Sequence, residues 1–316
     1  MKNEYEVIPN AQFQHLNVFL VHLFSRTPHL HRELEFGIVL EGRLQVKVGQ
    51  RAWTLDRDEL YLINSMDAHE FITDEHGALV LAVQVSSKLV KAFLPEADRI
   101  RFLTPPPLRE TLNDACRGEL SQTCRALALH YHKRDACYEL RCFSLILSVL
   151  YILQKNLRSE TISKQEYLPM KRRADRMVAV TDYIDQNFQR KLLLEEIAEM
   201  QGLTMPHLSH LFQQMLGISF QDYLRGKRFE YAFPLVSGTN RSILDISLES
   251  GFSDARYLIR AFQEELGCTP KEYRRQLQKQ IRINRTSSES LQYFLPREEV
   301  VRLLTPDPQA EITDMK

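Results

Sequence analysis

The feature of this sequence that most constrains its fold is an internal repeat in the last third of the chain. Residues 194–223 and 243–273 align with each other at an offset of about fifty positions, with one residue inserted. Each copy has a short apolar-periodic stretch, a glycine and a longer apolar-periodic stretch, which predicts a short helix, a turn and a longer helix. The matched pairs are Ile197 and Ile246, Gly202 and Gly251, Leu208 and Leu258, Phe212 and Phe262, and Tyr223 and Tyr273. The repeat therefore predicts two helix-turn-helix units, a motif that places its second helix in the DNA major groove.

The spacing inside each unit has a physical reason. Glycine can adopt the left-handed conformation that ends a helix, so Gly202 and Gly251 are expected to end the first helix of each unit. Thr204 and Ser253 are then expected to cap the second helices. The first unit has apolar residues at i, i+3, i+4 and i+7, namely Leu208, Leu211, Phe212 and Met215. The alternative is a helical hairpin with no DNA role, but the matched glycines, aromatics and closing tyrosines argue against it.

These residues resemble the AraC/XylS family of bacterial transcription regulators. The family motif is Gly-Phe, a recognition helix that ends in Phe, and then Gly-x-Thr/Ser-Pro-x-x-Tyr/Phe-Arg. The matching residues are Gly251-Phe252, Phe262, Gly267, Thr269-Pro270 and Tyr273-Arg274. The resemblance implies a DNA-binding domain over residues 174–280, with helix-turn-helix motifs at about 194–216 and 243–266.

Two positions depart from the family pattern. Ser247 replaces the alanine that usually fills a small packing position. Pro234 lies in the helix that connects the two units, and proline removes an intrahelical hydrogen bond and kinks a helix. The sequence therefore predicts an unusual angle between the two units.

The resemblance also implies which side chains contact DNA. Base contacts are expected on the faces of the second helices that lie away from the apolar stripe: Pro206, Ser209, His210 and Gln213 in the first unit, and Asp254, Ala255, Arg256, Ile259, Arg260 and Gln263 in the second. Arginine can donate two hydrogen bonds to guanine, so Arg256 and Arg260 are the main candidates. Phosphate contacts, which position the protein without specifying sequence, are expected from Lys227, Arg228, Lys271, Arg274 and Arg275. The alternative for any one of these residues is a solvated surface side chain.

The N-terminal part of the sequence has a different pattern. Short runs rich in valine, leucine and aromatic residues alternate with turn signals, which predicts a β-barrel or jelly roll over residues 1–104. Within it, His29-x-His31-x-x-x-Glu35 precedes Gly42 by six residues, and His69 follows later. This resembles the cupin pattern, in which three histidines and one glutamate hold a metal. Such a ligand set suits Zn, Mn, Fe or Ni.

The second half of the cupin pattern is degraded, because the proline and glycine that usually precede the last histidine are replaced around residues 64–67. We therefore expect no metal and no cofactor. His29, His31, Glu35 and His69 are instead expected to hydrogen-bond a small polar ligand, with a sugar as the leading candidate. The open alternatives are a metal site and a barrel that only holds a dimer together.

Residues 105–158 are predicted to be helical, with an apolar series at Leu140, Phe143, Leu147, Leu150 and Tyr151. This helix either packs on the barrel or pairs with its copy in a second subunit, and the family resemblance favours a homodimer. Residues 159–173 are polar and contain a proline, which predicts an interdomain linker. Residues 281–316 extend past the usual end of the family; we expect a short helix at 296–304 and disorder elsewhere.

Composition limits the remaining classes. Lys plus Arg and Asp plus Glu each number 41, so any DNA-binding charge must be local, and a histone-like binder is excluded. The longest apolar run, residues 143–153, is too short to span a membrane, and the N-terminus is not a signal peptide. Five cysteines without C-x-x-C spacing indicate reduced thiols in a cytoplasm.

The sequence thus predicts an α+β chain with a cupin-like barrel, a helical dimerisation segment and an all-α domain with two helix-turn-helix motifs. The expected function is a cytoplasmic, homodimeric, sequence-specific transcription regulator that responds to a small ligand bound in the barrel. Its expected partners are a double-stranded DNA operator, a small-molecule effector and RNA polymerase, with no membrane. The competing hypotheses are a metal-dependent cupin enzyme with a helical appendage, and a regulator without a ligand.

Overall fold

The computed structural model describes residues 15–104, 106–281 and 292–305. Strands come first and helices follow, as the sequence predicts. The sheet strands of the N-terminal domain are β1 (Leu16–Leu23), β2 (Ser25–His29), β3 (Leu34–Val48), β4 (Arg51–Leu55), β5 (Leu60–Ile63) and β6 (His69–Val85). The outer ends of the predicted barrel and tail, residues 1–14 and 306–316, lie outside the described residues.

The long strands β3 and β6 organise a curled antiparallel sheet. They pair from Leu34 opposite Val85 to Val48 opposite His69, with two register shifts on the way. Strand β1 pairs with residues 78–85 of β6, and β2 pairs with residues 69–72 of the same strand. Strands β4 and β5 pair with β3. Alternate residues of β6 enter different hydrophobic clusters: Leu81 faces the helices, whereas Val80 packs inside the curled sheet. The predicted cupin-like fold is confirmed.

Two helices cover one face of this sheet, α1 (Asp114–Lys133) and α2 (Tyr138–Asn156). Helix α2 buries Cys142, Ile146 and Val149 against the sheet and α1. The apolar series that the sequence analysis singled out lies on the other face, where Leu140 is 71% and Tyr151 is 62% exposed. Helix α2 is apolar around most of its circumference, so packing on the sheet leaves an apolar face in solvent. None of the described helices combines the length and the apolarity that crossing a bilayer requires.

The predicted linker is largely helical. Strand β7 (Ile100–Phe102) pairs with β8 (Ser159–Thr161), and α3 (Lys164–Asn187) begins directly afterwards. Ser163 and Glu166 form a reciprocal capping box that starts α3, a signal present in the sequence as Ser-x-x-Glu. Pro169 lies inside α3 without ending it. The polar composition of this segment reflects an exposed helix rather than an extended connection.

Both predicted helix-turn-helix units are present, and each is followed by a further helix. The helices are α4 (Leu194–Met200), α5 (Met205–Leu216), α6 (Phe220–Gly238), α7 (Ile243–Glu249), α8 (Ala255–Leu266) and α9 (Pro270–Ile281). Gly202 and Gly251 have φ values of 63° and 84°, the left-handed conformation expected of them. A Cβ on Gly251 would also lie 2.5 Å from the Phe188 carbonyl oxygen, so this turn needs glycine for space as well.

The helix caps differ from the expectation. Thr204 occupies the N-cap of α5, but its side chain makes no capping hydrogen bond. Asp254, rather than Ser253, caps α8, because its carboxylate accepts from the Arg256 backbone N–H at 2.8 Å. Helix α6 continues through Pro234 to Gly238, so the proline does not end the connecting helix.

The C-terminal segment forms a strand and a helix over residues 292–305, whereas the sequence analysis expected only the helix. Strand β9 (Gln292–Phe294) extends the N-terminal sheet by pairing with β1, and α10 (Arg297–Leu304) packs against α1. Val300 is fully buried in the core that the sheet shares with α1 and α2. The short helix expected here is thus present, and residues 282–291 lie outside the described residues.

Ser247, the departure from the family's alanine, generates a stability prediction. It is fully buried, and its Oγ has no hydrogen-bond partner within the described parts of the chain. Ser247→Ala removes this hydroxyl without disturbing packing, so we expect the free energy of unfolding to rise by about 1 kcal/mol. Urea unfolding followed by circular dichroism measures the change.

The matched control is Ser250→Ala. Ser250 is equally buried, but its hydroxyl donates to the Ile246 carbonyl oxygen at 2.7 Å. This variant should not gain stability. A loss of stability in Ser247→Ala comparable to that in Ser250→Ala would contradict the assignment of an unpaired hydroxyl.

Candidate functional site

The structure brings the four predicted ligand-binding residues together at one end of the curled sheet. His29 ends β2, Glu35 lies in β3, and His69 begins β6 directly opposite His29. His31 lies in the connection between β2 and β3. The side-chain nitrogens of the three histidines lie within 4.8 Å of one another, and the His29 and His69 ring centroids are 4.1 Å apart. We refer to His29, His31, Glu35 and His69 as the histidine site.

Backbone carbonyls orient all three imidazoles in the same way. Nδ1 of His29, His31 and His69 lies 2.9, 3.0 and 2.9 Å from the carbonyl oxygens of Thr27, Glu33 and Asp67, respectively. A carbonyl oxygen only accepts, so Nδ1 carries a proton in each ring. The Nε2 atoms are therefore the ones that remain to bind other groups in the site.

Each Nε2 atom has a different environment. His31 Nε2 donates to Glu35 Oε2 at 2.9 Å, so both nitrogens of this ring are protonated. His29 Nε2 accepts from Arg26 Nε at 3.0 Å. His69 Nε2 is buried without a hydrogen-bond partner among the described residues, and Glu35 Oε2 lies 4.0 Å away. The site thus contains one nitrogen lone pair that a ligand could use directly.

Glu35 is the electrostatic centre of the site. Burial alone would raise its pKa, but the hydrogen bond and charge of His31, with help from Gln84, lower the pKa to about 2. Tyr61 donates its hydroxyl to the other carboxylate oxygen at 3.0 Å. Burial opposes charge on His31 as well, yet its pairing with Glu35 raises the pKa of this imidazole. The pair is therefore an ionised carboxylate with an imidazolium.

The other two imidazoles are neutral. Burial lowers the pKa of His69 to about 4. Burial, followed by the charge of Arg26, lowers the pKa of His29 well below its usual value. At neutral pH the histidine site therefore offers one ion pair, one imidazole bound by a guanidinium, and one imidazole with a free lone pair.

The ligand types in the histidine site fit a transition metal, as in metal cupins, but their present bonding does not provide the full set. His29 Nε2 holds its lone pair toward Arg26, and His31 Nε2 carries the proton that it donates to Glu35. A metal would need both of these hydrogen bonds to be exchanged for coordinate bonds, beside the guanidinium charge of Arg26. The four residues form a hydrogen-bonded network in this structure, and a metal ion would replace two of its hydrogen bonds.

The cavity at the histidine site is small. It has a volume of about 20 Å³ and is lined by His29, Glu35 and Tyr61 on one side and by Gln292 and Phe294 of β9 on the other. A water molecule needs roughly 10–15 Å³ of such space, whereas small-molecule pockets usually exceed about 300 Å³. This cavity is too small for a sugar, whereas His69 also lines a separate cavity of about 220 Å³ beside α5.

A larger cavity, which the sequence analysis missed, lies between the two domains. It has a volume of about 360 Å³ and is bordered by β2 on one side and by α6 and α8 on the other. Its lining includes Phe24, Thr27, Arg225, Phe229 and Glu265. These residues belong to no motif and come from distant parts of the chain, so no sequence signal indicated this cavity.

Strand β2 connects the histidine site to the helical domain. The backbone N–H and the hydroxyl of Thr27 both donate to Glu230 Oε1 of α6, at 3.1 and 2.8 Å. Gly226 allows this approach, because a Cβ at that position would lie 2.7 Å from Thr27 Cγ2. Leu30, just after β2, packs in the core of the first helix-turn-helix unit. Thr27 and Leu30 thus contact the helical domain, while His29 between them belongs to the histidine site.

The faces of α5 and α8 that were predicted to contact bases are largely in solvent. Arg256 and Arg260 have side chains that are 85% and 73% exposed, and they pair with Asp254 and Glu264 at 3.0 and 2.8 Å. The other exposed candidates are Pro206, Ser209, His210, Gln213 and Gln263, whereas Asp254, Ala255 and Ile259 are half-buried. Tyr257, which the sequence analysis did not include, is 55% exposed on α8.

Three of the five predicted phosphate-binding residues have structural roles instead. Lys227 is half-buried between Asp185 and Glu230, at 3.3 and 3.4 Å. Arg228 donates to the carbonyl oxygens of Phe188 and Arg190, and Arg274 donates to that of Val236. Positive charge in the sequence does not reveal such burial. Lys271 and Arg275 are exposed and remain candidates for phosphate contacts.

The bonding of the histidine site generates a prediction about metals. We expect protein purified without chelator to contain well below one metal ion per chain, and EDTA to leave its melting temperature nearly unchanged. Glu35→Gln, in contrast, leaves buried His31 without its counter-charge and should destabilise the N-terminal domain by about 3–5 kcal/mol. Fluorescence of Trp53 in β4, the one tryptophan of the chain, reports unfolding of this domain.

Elemental analysis and EDTA titration test this prediction directly. A stoichiometric metal, together with an EDTA-induced loss of stability as large as that caused by Glu35→Gln, would contradict it, because a structural metal contributes much of a small domain's folding free energy.

Comparisons with known proteins agree with these features. A helix-turn-helix domain family matches residues 197–276, and a cupin domain family matches residues 21–85. An uncharacterised HTH-type transcriptional regulator from Staphylococcus aureus is 25% identical over 241 residues, which cover 76% of this chain and 31% of that protein. The HTH-type regulator YijO from Escherichia coli is 34% identical over 111 residues, 35% of this chain and 39% of YijO. The chain thus spans about a third of the length of the curated relatives it matches.

Solved structures show similar partial matches. The C-terminal domain of the response regulator yesN from Fusobacterium nucleatum is 32% identical, with 32% of this chain and 98% of that chain covered, at a TM-score of 0.30. ToxT from Vibrio cholerae is 12% identical over 82% of this chain and 96% of its own, at a TM-score of 0.46. The duplicated helix-turn-helix unit, its motif residues and the two domain matches show that this chain joins a cupin domain to an AraC-type helix-turn-helix domain.

Proposed function

We propose that the protein is a transcription regulator that binds double-stranded DNA through α5 and α8 and changes its DNA affinity when an effector occupies the histidine site. The observation that carries this proposal is the pair of helix-turn-helix units joined by one helix, with exposed polar faces on both second helices.

The geometry of the helical domain suits two adjacent segments of the major groove. Helix α6 connects the two units and has 19 residues, which corresponds to about 28 Å at 1.5 Å per residue. One turn of DNA is about 34 Å, so two reading helices joined in this way can enter successive major-groove segments on one face. Arg256 and Arg260 would exchange their present carboxylate partners for base edges, while Lys271 and Arg275 would meet phosphates.

Strand β2 provides the connection between sensing and DNA binding. His29 lies in the histidine site, and Thr27, two residues earlier, binds Glu230 of α6. An effector that binds His29 or displaces Arg26 would shift β2, and with it the contact that positions the helix between the two reading units. The effector can do this to the extent that it binds one position of β2 better than the other.

A small polar molecule with hydroxyl groups remains the proposed effector class, because the histidine site presents both donors and acceptors. His69 Nε2 can accept a hydrogen bond, and the Glu35 carboxylate can accept one in exchange for an existing partner. A sugar belongs to this class, but it requires more space than the cavity of about 20 Å³ beside His29 and Glu35.

We further propose that two copies of the chain associate through the exposed face of α2. Leu140, Leu147 and Tyr151 lie on that face, and Phe93 is 71% exposed with its ring 6.1 Å from that of Phe143. Monomeric proteins rarely expose a contiguous apolar patch of this kind. A second copy is the proposed occupant because an isologous contact covers the same patch on both partners.

The two-headed arrangement predicts the footprint. On DNA obtained by selection from a random library, the full-length protein should protect two segments about 10 bp apart per subunit, on one face of the helix. Hydroxyl-radical footprinting gives the required resolution. Full-length protein is used because Leu30 and Phe24 of the N-terminal domain contribute to the cores of the helical domain. A single short protected segment would rule out simultaneous reading by α5 and α8.

Base and phosphate contacts can be told apart with two single variants. Arg260→Ala should cost about 1–3 kcal/mol on selected DNA and relax the preference at one base pair, with little effect on random DNA. Lys271→Ala should weaken binding to both DNAs alike and reduce the slope of affinity against salt concentration.

Affinities measured at several salt concentrations decide between these roles. An equal loss of affinity for selected and random DNA in Arg260→Ala would show that this arginine contacts the backbone rather than a base.

A further inference from the structure

The C-terminal segment is docked on the N-terminal domain rather than on the helical domain that precedes it in the chain. Strand β9 pairs with the edge of β1, with Val21 opposite Phe294 and Leu23 opposite Gln292. The Leu295 backbone N–H donates to the Leu20 carbonyl oxygen at 2.8 Å. The sheet edge that β1 would otherwise expose is therefore covered by residues of the same chain.

Helix α10 anchors the other end of this segment. Arg297 donates to the carbonyl oxygens of His132 and Lys133 at the end of α1, where helix carbonyls lack intrahelical partners. Val300 is fully buried against the same helix cluster. The segment is thus held by a polar contact, a buried side chain and strand pairing.

Two side chains of β9 cover the His29 and Glu35 part of the histidine site. Gln292 and Phe294 both line its cavity, and the Phe294 ring packs edge-on against Phe19 at 5.2 Å. Gln292 Oε1 accepts from Arg26 Nη1 at 2.8 Å, while Nε of the same guanidinium donates to His29. One arginine therefore connects the C-terminal segment directly to an imidazole of the site.

We propose that the edge of β1 is a docking surface for residues 292–304 of the chain itself, and that the docked segment is a lid that controls entry to the histidine site. An effector larger than a water molecule would reach His29 and Glu35 through this cavity only when Gln292 and Phe294 move away, whereas His69 lines a separate cavity beside α5. This inference rests on the proposed sensing role of that site and adds the element that regulates it.

The packing of the segment is consistent with movement. Strand β9 has three residues, Phe294 is 39% exposed and Leu303 is 45% exposed. Segments with few buried contacts open at a lower free energy than the domain core. Undocking would free a surface of the curled sheet without disrupting β3 and β6, which carry most of the sheet pairing.

The lid also connects the sensor to the DNA-binding domain, because of its position in the chain. It follows α9, the helix that carries Lys271 and Arg275, so lid docking ties the end of the DNA-binding domain to the sensor. By reciprocity, an effector that requires an open lid would favour the arrangement of the DNA-binding domain that an undocked lid permits.

Chemical modification of the histidines tests the lid without an effector or DNA. Diethyl pyrocarbonate acylates accessible neutral imidazoles, and mass spectrometry of peptides assigns the rate to each residue. In full-length protein with Gln292→Ala and Phe294→Ala, we expect His29, which lines the cavity, to react at least about tenfold faster than in the unmodified sequence, because the apolar closure is lost. Tyr293→Ala is the matched control, since Tyr293 is adjacent in β9 but does not line the cavity. His207 and His210 should react equally in all variants.

A disulfide lock provides the opposite perturbation. His22 and Tyr293 are cross-strand partners in β1 and β9, so His22→Cys with Tyr293→Cys places two thiols within bonding range. Oxidation should slow modification of His29 below the rate in the reduced form of the same protein, and reduction should restore it. The unmodified sequence, oxidised in the same way, controls for the five native cysteines.

The lid is overturned if His29 reacts at the same rate in the unmodified protein, the double-alanine variant and both forms of the locked protein. That result would leave DNA binding through α5 and α8 untouched. Conversely, a failed footprint with a positive modification result would remove the proposed function and keep the lid.

Discussion

The hydrogen bonds between Thr27 of β2 and Glu230 of α6 join the two halves of this molecule. Glu230 also contacts Lys227, a half-buried lysine that pairs with Asp185 of α3. Thr27 is therefore bound to a charged network that holds together α3 and α6 of the DNA-binding domain. A buried ion pair that loses a partner is costly, so the position of β2 and the arrangement of these helices depend on each other.

The same strand is held at its other end by the histidine site. Arg26 binds both His29 and Gln292, and the His29 ring lies beside that of His69 at the start of β6. Glu35, His31, Tyr61 and Gln84 complete a network in which the carboxylate is satisfied from several sides. A ligand that replaces any of these bonds changes what β2 is bound to. The structure thus contains a short physical route from a polar site to the helix between two DNA-reading units.

The parts of the molecule that depend on local patterns were predictable from the sequence. The two helix-turn-helix units follow from periodic apolar residues around Gly202 and Gly251, and the clustering of the four cupin positions follows from their spacing on paired strands. What the sequence did not reveal depends on long-range packing. Residues from distant parts of the chain hold Lys227 in ion pairs and Arg228 in hydrogen bonds, and one face of the apolar helix α2 packs on the sheet.

The size of the cavity beside His29 and the docking of β9 also depend on long-range packing. Three residues near the end of the chain pair with an edge strand near its beginning, and no local signal marks such a contact. Residue types indicate which donors and acceptors a site contains, but they do not indicate the volume of its cavity. The sequence analysis therefore expected a sugar without predicting that β9 covers this cavity. The start of α3, in contrast, was available as the Ser163 and Glu166 capping box and was overlooked.

The most direct test of the account is whether β2 transmits a change at the histidine site to DNA binding. Thr27→Val removes the hydroxyl that binds Glu230 but keeps the methyl contact with Gly226, and Glu35→Gln perturbs the histidine site. DNA affinity measured for both single variants, the double variant and the unmodified protein at one salt concentration gives their coupling free energy. The account predicts a coupling of about 1–3 kcal/mol, with Glu35→Gln losing its effect on DNA affinity once Thr27 is replaced. Effects of the two substitutions that simply add would contradict it.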